Sequence, residues 1–261
     1  MLLFLVASLA LLSCGTASVK AEEGTYLSQV HPVWGDNSTE ATVCGYGSAC
    51  QAGAGEEEHV ALKMWAEKNR IRLNVEQPST VPHYTAVGYA KMKMPEDLYS
   101  SVLTWFRSNL DKKQSEGWEN DYVYINFWDT DTDIVRAGGK LCKDLLRGLQ
   151  PILQEWSGIP LMETACYGIR TYHTGAILAN HVDRIDTHII SAIVNVDQEV
   201  EEPWPLYVKG HDGKAEAIYM SPGEIVLYES ASVIHGRPNA LQGNYSNIFV
   251  HFKPTAPQEE L

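Results

Sequence analysis

From residue 163 to residue 252 the chain abandons helical spacing for short runs of β-branched and aromatic residues. These runs fall at 163–172, 187–196, 205–209, 214–219, 224–229 and 246–252. Turn residues separate them: Asp212-Gly213 makes a tight hairpin and Ser221-Pro222-Gly223 another turn. Many short strands at such intervals fold as a β-sandwich or barrel. Tyr122 to Trp128 adds an upstream strand of the same composition. Helical spacing is confined to the first half. It occurs at 56–69 (Val60, Ala61, Met64, Trp65), at 96–112 (Leu98, Val102, Trp105, Phe106, Leu110, with Pro95 at its start) and at 140–156, weakened near Pro151. Helices first and strands afterwards predict an α+β chain, mainly β. The expected form is a double-stranded β-helix, or jelly roll, flanked by N-terminal helices.

The remaining segments set the organisation. Residues 2–12 are almost wholly apolar, and Val19-Lys20-Ala21 follows as a small-residue cleavage site. Eleven residues are too few to cross a bilayer, which takes about 20, so 1–21 is read as a signal peptide. Residues 22–80 are an irregular arm plus the first helix, 81–254 the jelly-roll domain, and 255–261 an acidic tail. The ending Gln258-Glu259-Glu260-Leu261 is a relaxed form of an endoplasmic-reticulum retention signal. The expected location is the secretory pathway, in the lumen of the endoplasmic reticulum or secreted. Asn37-Ser38-Thr39 is a glycosylation sequon compatible with it. Without Cys14, four cysteines remain: Cys44, Cys50, Cys142 and Cys166. An even count in an oxidising compartment predicts two disulfides, with three pairings open. The net charge of −13, from 20 basic and 33 acidic residues, opposes general nucleic-acid binding, which needs a basic surface. No later run is apolar enough to span a membrane.

The chemistry is carried by three residues. His181-Val182-Asp183 sets an imidazole and a carboxylate at i and i+2, on one face of an extended segment. His235 lies 52 positions after Asp183 (235 − 183), just past a predicted strand. Two imidazoles and one carboxylate on one side of a metal leave the other side open, the facial arrangement of non-haem Fe(II) oxygenases. A His-x-Asp alone is a common accident. Its weight comes from position, because His181 precedes the strand expected at 187–196 and His235 precedes the last, at 246–252. His188 and His251, on predicted strands, are read as core or cleft-wall residues. The acidic run 128–133 lacks the glycine and terminal glutamate of a calcium loop and is read as a solvated turn. Trp105, Trp118, Trp128 and Trp204 are read first as packing aromatics, with a peptide groove as the alternative.

Residues 164–254 resemble the prolyl 4-hydroxylase branch of the 2-oxoglutarate/Fe(II) dioxygenases. Tyr172-His173-Thr174-Gly175 with His181-Val182-Asp183 is similar to its Y-x-x-G…H-x-D strand, and Pro222 to Tyr228 to the segment before its distal histidine. His235-Gly236-Arg237-Pro238 through Gly243 matches its H-x-x-x-P…G pattern loosely. The resemblance implies iron held by His181, Asp183 and His235, with 2-oxoglutarate and O2 as co-substrates and ascorbate as reductant. It implies hydroxylation of an aliphatic C–H, foremost on prolyl residues of a peptide or protein substrate. The family anchors 2-oxoglutarate with a lysine or arginine nine or ten residues past the distal histidine, where this chain has Asn244 and Tyr245. Tyr172, Arg237 and Arg170 are the candidates to bind the co-substrate instead. Two rival readings stand beside this one: the same chemistry on a free amino acid or small metabolite, and a non-catalytic peptide-binding module on the same fold.

Overall fold

The computed structural model describes residues 69–116, 124–126 and 130–255. The signal peptide, the arm, the helix expected at 56–69 apart from Asn69, the Cys44/Cys50 pair, Trp118, Trp128 and the tail from 256 lie outside the described residues. So does most of the strand expected at 122–128.

Among the described residues, twelve strands and two longer helices follow a helical stretch over 69–76. The strands are β1 (Tyr89–Lys93), β2 (Gln114–Ser115), β3 (Thr132–Arg136), β4 (Leu161–Ala165), β5 (Gly168–Tyr172), β6 (Leu178–His181), β7 (Ile190–Val200), β8 (Leu206–Lys209), β9 (Ala215–Ile218), β10 (Glu224–Tyr228), β11 (Ile234–Arg237) and β12 (Gly243–Pro254). The helices are α1 (Glu96–Arg107) and α2 (Gly139–Ser157). All pairings are antiparallel. The larger sheet runs β1-β10-β7-β12-β5-β3-β2, with β4 also on β12, and the smaller runs β6-β11-β8-β9. This is the expected jelly roll.

Alternation along β7 shows how the layers form. Ala192, Val194 and Val196 join the core under the helices, while Ile193 lies on the other face, toward the smaller sheet. The helices supply Val102 and Phe106 from α1 and Leu145, Leu149 and Leu153 from α2. α1 carries Glu96 and Asp97 in its first turn and Arg107 in its last, which suits the helix dipole. α2 ends at Gly158, whose φ of 74° closes the helix. Among the described residues no helix is long and apolar enough to cross a membrane.

Four expectations are corrected. The strand expected at 163–172 is two strands, β4 and β5. They divide before Gly168, whose φ of 147° and approach to the Val135 carbonyl leave no room for a Cβ. The helix expected to reach 112 stops at Arg107 and gives way to a short 3-10 turn, Leu110–Lys112. α2 runs through Pro151 without weakening into an end, because Pro151 and Arg147 are both exposed and water can serve the carbonyl that proline leaves unpaired. The acidic stretch read as a turn overlaps the start of β3 at Thr132 and Asp133, and β3 pairs along β5 from Thr132↔Tyr172 to Arg136↔Gly168. Of the possible disulfides, Cys142–Cys166 is formed and ties α2 to the turn before β5.

Candidate metal centre

β6 ends on His181, and β11 carries His235 directly opposite it as a paired residue. Asp183 follows two positions after His181 and is held by its backbone N–H, which donates to the Ser230 carbonyl at 2.8 Å. Neighbouring strands thus bring together residues that are far apart in the chain. One ligand atom from each of His181, Asp183 and His235 lies within 4.8 Å of the others. Asp183 Oδ1 is 3.4 Å from His181 Nε2 and 3.8 Å from His235 Nε2.

Each imidazole is fixed from behind. His181 Nδ1 lies 2.7 Å from the Ala179 carbonyl and His235 Nδ1 2.9 Å from the Val233 carbonyl. A carbonyl only accepts, so each Nδ1 carries the hydrogen and each Nε2 presents its lone pair to the shared centre. Tyr124 stacks on His181 at 4.1 Å and Tyr228 meets His235 edge-on at 4.7 Å. Among the described residues Asp183 Oδ2 has no hydrogen-bond partner although it is buried. A buried carboxylate oxygen without a partner is costly, and a cation beside it removes that cost. The donor set therefore fits a divalent first-row ion such as Fe(II).

Gly236 is what lets β6 and β11 approach. A Cβ there would meet Asn180 Oδ1 at 2.4 Å and the Asn180 backbone at 2.7 Å. Gly236→Ala is expected to part the two histidine-bearing strands, destabilise the protein by about 1–3 kcal/mol and weaken metal binding. Paired thermal unfolding and metal titration check this, and wild-type values for both would contradict it.

Burial sets the protonation of the site. Burial, then repulsion from His181, brings His235 from its ordinary 6.5 down to about 4. Burial, then His188, brings the neighbouring His251 down to about 3. Burial pushes the Asp183 carboxyl up, but His235, His181 and His251 outweigh it and hold the group below the usual carboxylate range. Between pH 6.5 and 4 the unfolded chain therefore binds protons at these histidines that the folded chain refuses, and stability falls with pH. The metal-free protein is expected to lose on the order of a few kcal/mol across that window. Asp183 adds its own loss only at lower pH, as its depressed carboxyl is protonated. Unfolding of chelator-treated protein as a function of pH measures the slope, and a flat profile would contradict it.

The triad opens on a cavity of about 370 Å³ whose walls include Tyr124, Tyr167, Arg170, Tyr172, Tyr228 and His251. Tyr172 and Arg170 are thus on the wall. Arg170, however, holds Glu116 through two hydrogen bonds of 2.5 and 2.8 Å. Arg237 is not on the wall. It is fully buried, with its guanidinium over Tyr245 at 4.4 Å and Trp204 at 4.8 Å, donating to the Trp204 carbonyl. Among the described residues it has no carboxylate partner. Asn244 and Tyr245, at the positions where the family carries a cation, are otherwise engaged: Asn244 Oδ1 is 2.7 Å from His173 Nδ1, and the Tyr245 hydroxyl accepts from Asn195.

His188 and His251, read from the sequence as core or cleft-wall residues, line the cavity with their rings tilted against each other at 3.6 Å, and His251 Nδ1 is 3.9 Å from Asp183 Oδ2. Asn247 is the residue that gains a place the sequence did not give it. Asn247 shares a strand face with Phe249 and His251 and sits opposite Arg170. Among the described residues neither end of its buried amide has a partner. The strand alternation of β12 holds the signal for all of these side chains on β12, but it acquires a direction only once the register is known.

No family model matches this sequence, and no curated protein matches it. Solved structures do. A prolyl-4-hydroxylase of Pseudomonas putida aligns with a TM-score of 0.51 at 15% identity, over 68% of this chain and 98% of that one. The non-haem α-ketoglutarate-dependent epimerase SnoN of nogalamycin biosynthesis aligns with a TM-score of 0.51 at 12% identity, over 75% of this chain and 84% of that one. The fold is the jelly roll of the 2-oxoglutarate/Fe(II) oxygenases. A hydroxylase and an epimerase share it, so the fold alone does not name the reaction.

Proposed function

We propose that the chain is a 2-oxoglutarate- and Fe(II)-dependent dioxygenase that hydroxylates an aliphatic C–H, with prolyl residues of a peptide in the secretory pathway as its substrate. One observation carries the reading: His181, Asp183 and His235 converge with both Nδ1 atoms bonded to carbonyls, so that three ligand atoms face one point on a cavity wall. With iron and 2-oxoglutarate bound, the site has the means to reduce O2 while the co-substrate is converted to succinate and CO2, with ascorbate to restore iron after uncoupled turnovers.

The chain's own residues supply geometry and enclosure. His181, Asp183 and His235 hold the metal, and Ala179 and Val233 keep the imidazoles turned toward it. Tyr172 offers its hydroxyl to the co-substrate. Arg237 is the best candidate for the distal carboxylate, because it is a buried cation with no carboxylate partner among the described residues, and buried charges need one. Arg170 already has Glu116. The unpartnered amide of Asn247 adds hydrogen-bonding capacity on the same inner face. The prolyl assignment is supported by the motif resemblance and by the likeness to the P. putida enzyme. The secretory location is supported by the apolar leader and the Cys142–Cys166 disulfide.

The test is succinate release from 2-oxoglutarate with Fe(II), O2 and ascorbate in the presence of proline-rich peptides, with hydroxyproline measured in parallel. Peptide-dependent succinate matched by hydroxyproline is the expected result. Succinate without hydroxyproline would overturn the prolyl assignment and leave the enzyme class. Iron binding without any 2-oxoglutarate binding would favour a non-catalytic binding module.

A further inference from the structure

Arg70, Asn74 and Gln77 fall at i, i+4 and i+7, one face of a helical turn sequence. That face is buried, though polar side chains rarely are. Their hydrogen bonds explain it. Gln77 Nε2 donates to the Asp183 carbonyl at 2.7 Å and to the Ala231 carbonyl at 2.8 Å. Asn74 donates to the Asn180 carbonyl at 2.8 Å, and Arg70 donates to the same oxygen. Asn180 precedes His181, Asp183 is itself a member of the triad, and Ala231 lies four positions before His235. One segment thus holds the backbone at Asp183, at the residue before His181 and in the loop that leads to His235. Through one amide Gln77 adds a side-chain tie between the stretches that carry Asp183 and His235, beside the bond from the Asp183 N–H to the Ser230 carbonyl, and it is not on the cavity wall.

We infer that Gln77 is a positioning residue for the metal centre, acting through the backbone of Asp183 and the loop before His235. The inference rests on the reading of His181, Asp183 and His235 as metal ligands. Removing the amide donor takes away two of the bonds that hold these stretches in register, so that Asp183 and the loop before His235 are held less tightly and the ligand atoms shift before the metal arrives. Outer partners of this kind cost about 10–100-fold in metal affinity when lost.

The test uses the full chain and Co(II) as the probe, because its visible spectrum reports coordination geometry as well as occupancy. Gln77→Glu keeps the volume and replaces the donor by an acceptor, and Gln77→Met keeps the length without polarity. Either variant that folds is expected to bind Co(II) at least about 10-fold more weakly, with an altered visible spectrum. Arg72→Ala removes an exposed side chain of the same segment, paired among the described residues with Asn69 and Glu76, and is expected to bind like the wild type. Melting of the metal-free proteins is measured alongside. A Gln77 variant that melts earlier yet keeps the wild-type affinity and spectrum would overturn the inference, leaving Gln77 a purely structural residue. A wild type that binds no Co(II) would overturn the reading of the triad itself, and the inference with it.

Discussion

Replacing His181 by alanine is expected to lower Fe(II) affinity by more than about 100-fold, beyond the loss expected for a residue that only supports a ligand. The expectation follows from the paired arrangement of β6 and β11. His181 and His235 occupy opposed positions on these strands, so loss of His181 removes one of the three convergent ligand atoms and leaves only His235 and Asp183 facing that point. His188→Ala provides the contrast. Its ring is tilted against His251 and contacts Tyr167 rather than the triad, so metal affinity is expected to stay within about threefold of wild type while the cavity wall changes. Anaerobic equilibrium dialysis of Fe(II) against each variant measures both. Equal losses in the two variants would mean that the metal is held by a different histidine set.

Much of this site is legible in the sequence, for physical reasons. A facial triad needs two ligands on one extended face and a third on a neighbouring strand, and the late run of short strands supplies both. The break between β4 and β5 is not legible, because residues 163–172 keep a strand-like composition straight through Gly168. β1 escapes notice because Tyr89-Ala90-Lys91-Met92-Lys93 is a mostly exposed edge strand without a buried alternation. β3 hides behind Asp131 and Asp133, whose charges read as a turn although Ile134 and Val135 are buried. Gln77 and Asn247 carry no chemical signature of their own. An amide becomes interesting only when the fold shows which carbonyls it reaches, or that it reaches none.

Arg237→Met is expected to weaken 2-oxoglutarate binding to the Mn(II)-loaded protein by about 100-fold, the effect of losing roughly 3 kcal/mol of charge-assisted hydrogen bonding. Arg170→Met is expected to change that affinity much less, because the Arg170 charge is already matched by Glu116 at 2.5 Å. Its cost falls instead on stability, since Glu116 is left partly buried without a partner, at about 1–3 kcal/mol. Calorimetric titration of 2-oxoglutarate into each variant, with unfolding curves beside it, separates the two arginines. A large affinity loss in Arg170→Met and none in Arg237→Met would assign the anchor to the cavity wall.

The most direct measurement is an anaerobic titration of the wild-type protein with Fe(II), followed by 2-oxoglutarate, monitored in the visible region. A single iron per chain, and a metal-to-ligand charge-transfer band that grows only when both are present and is missing in Asp183→Ala, is the predicted result. Iron binding that survives in Asp183→Ala, or a wild type that never develops the band, would contradict a shared iron and co-substrate site at His181, Asp183 and His235.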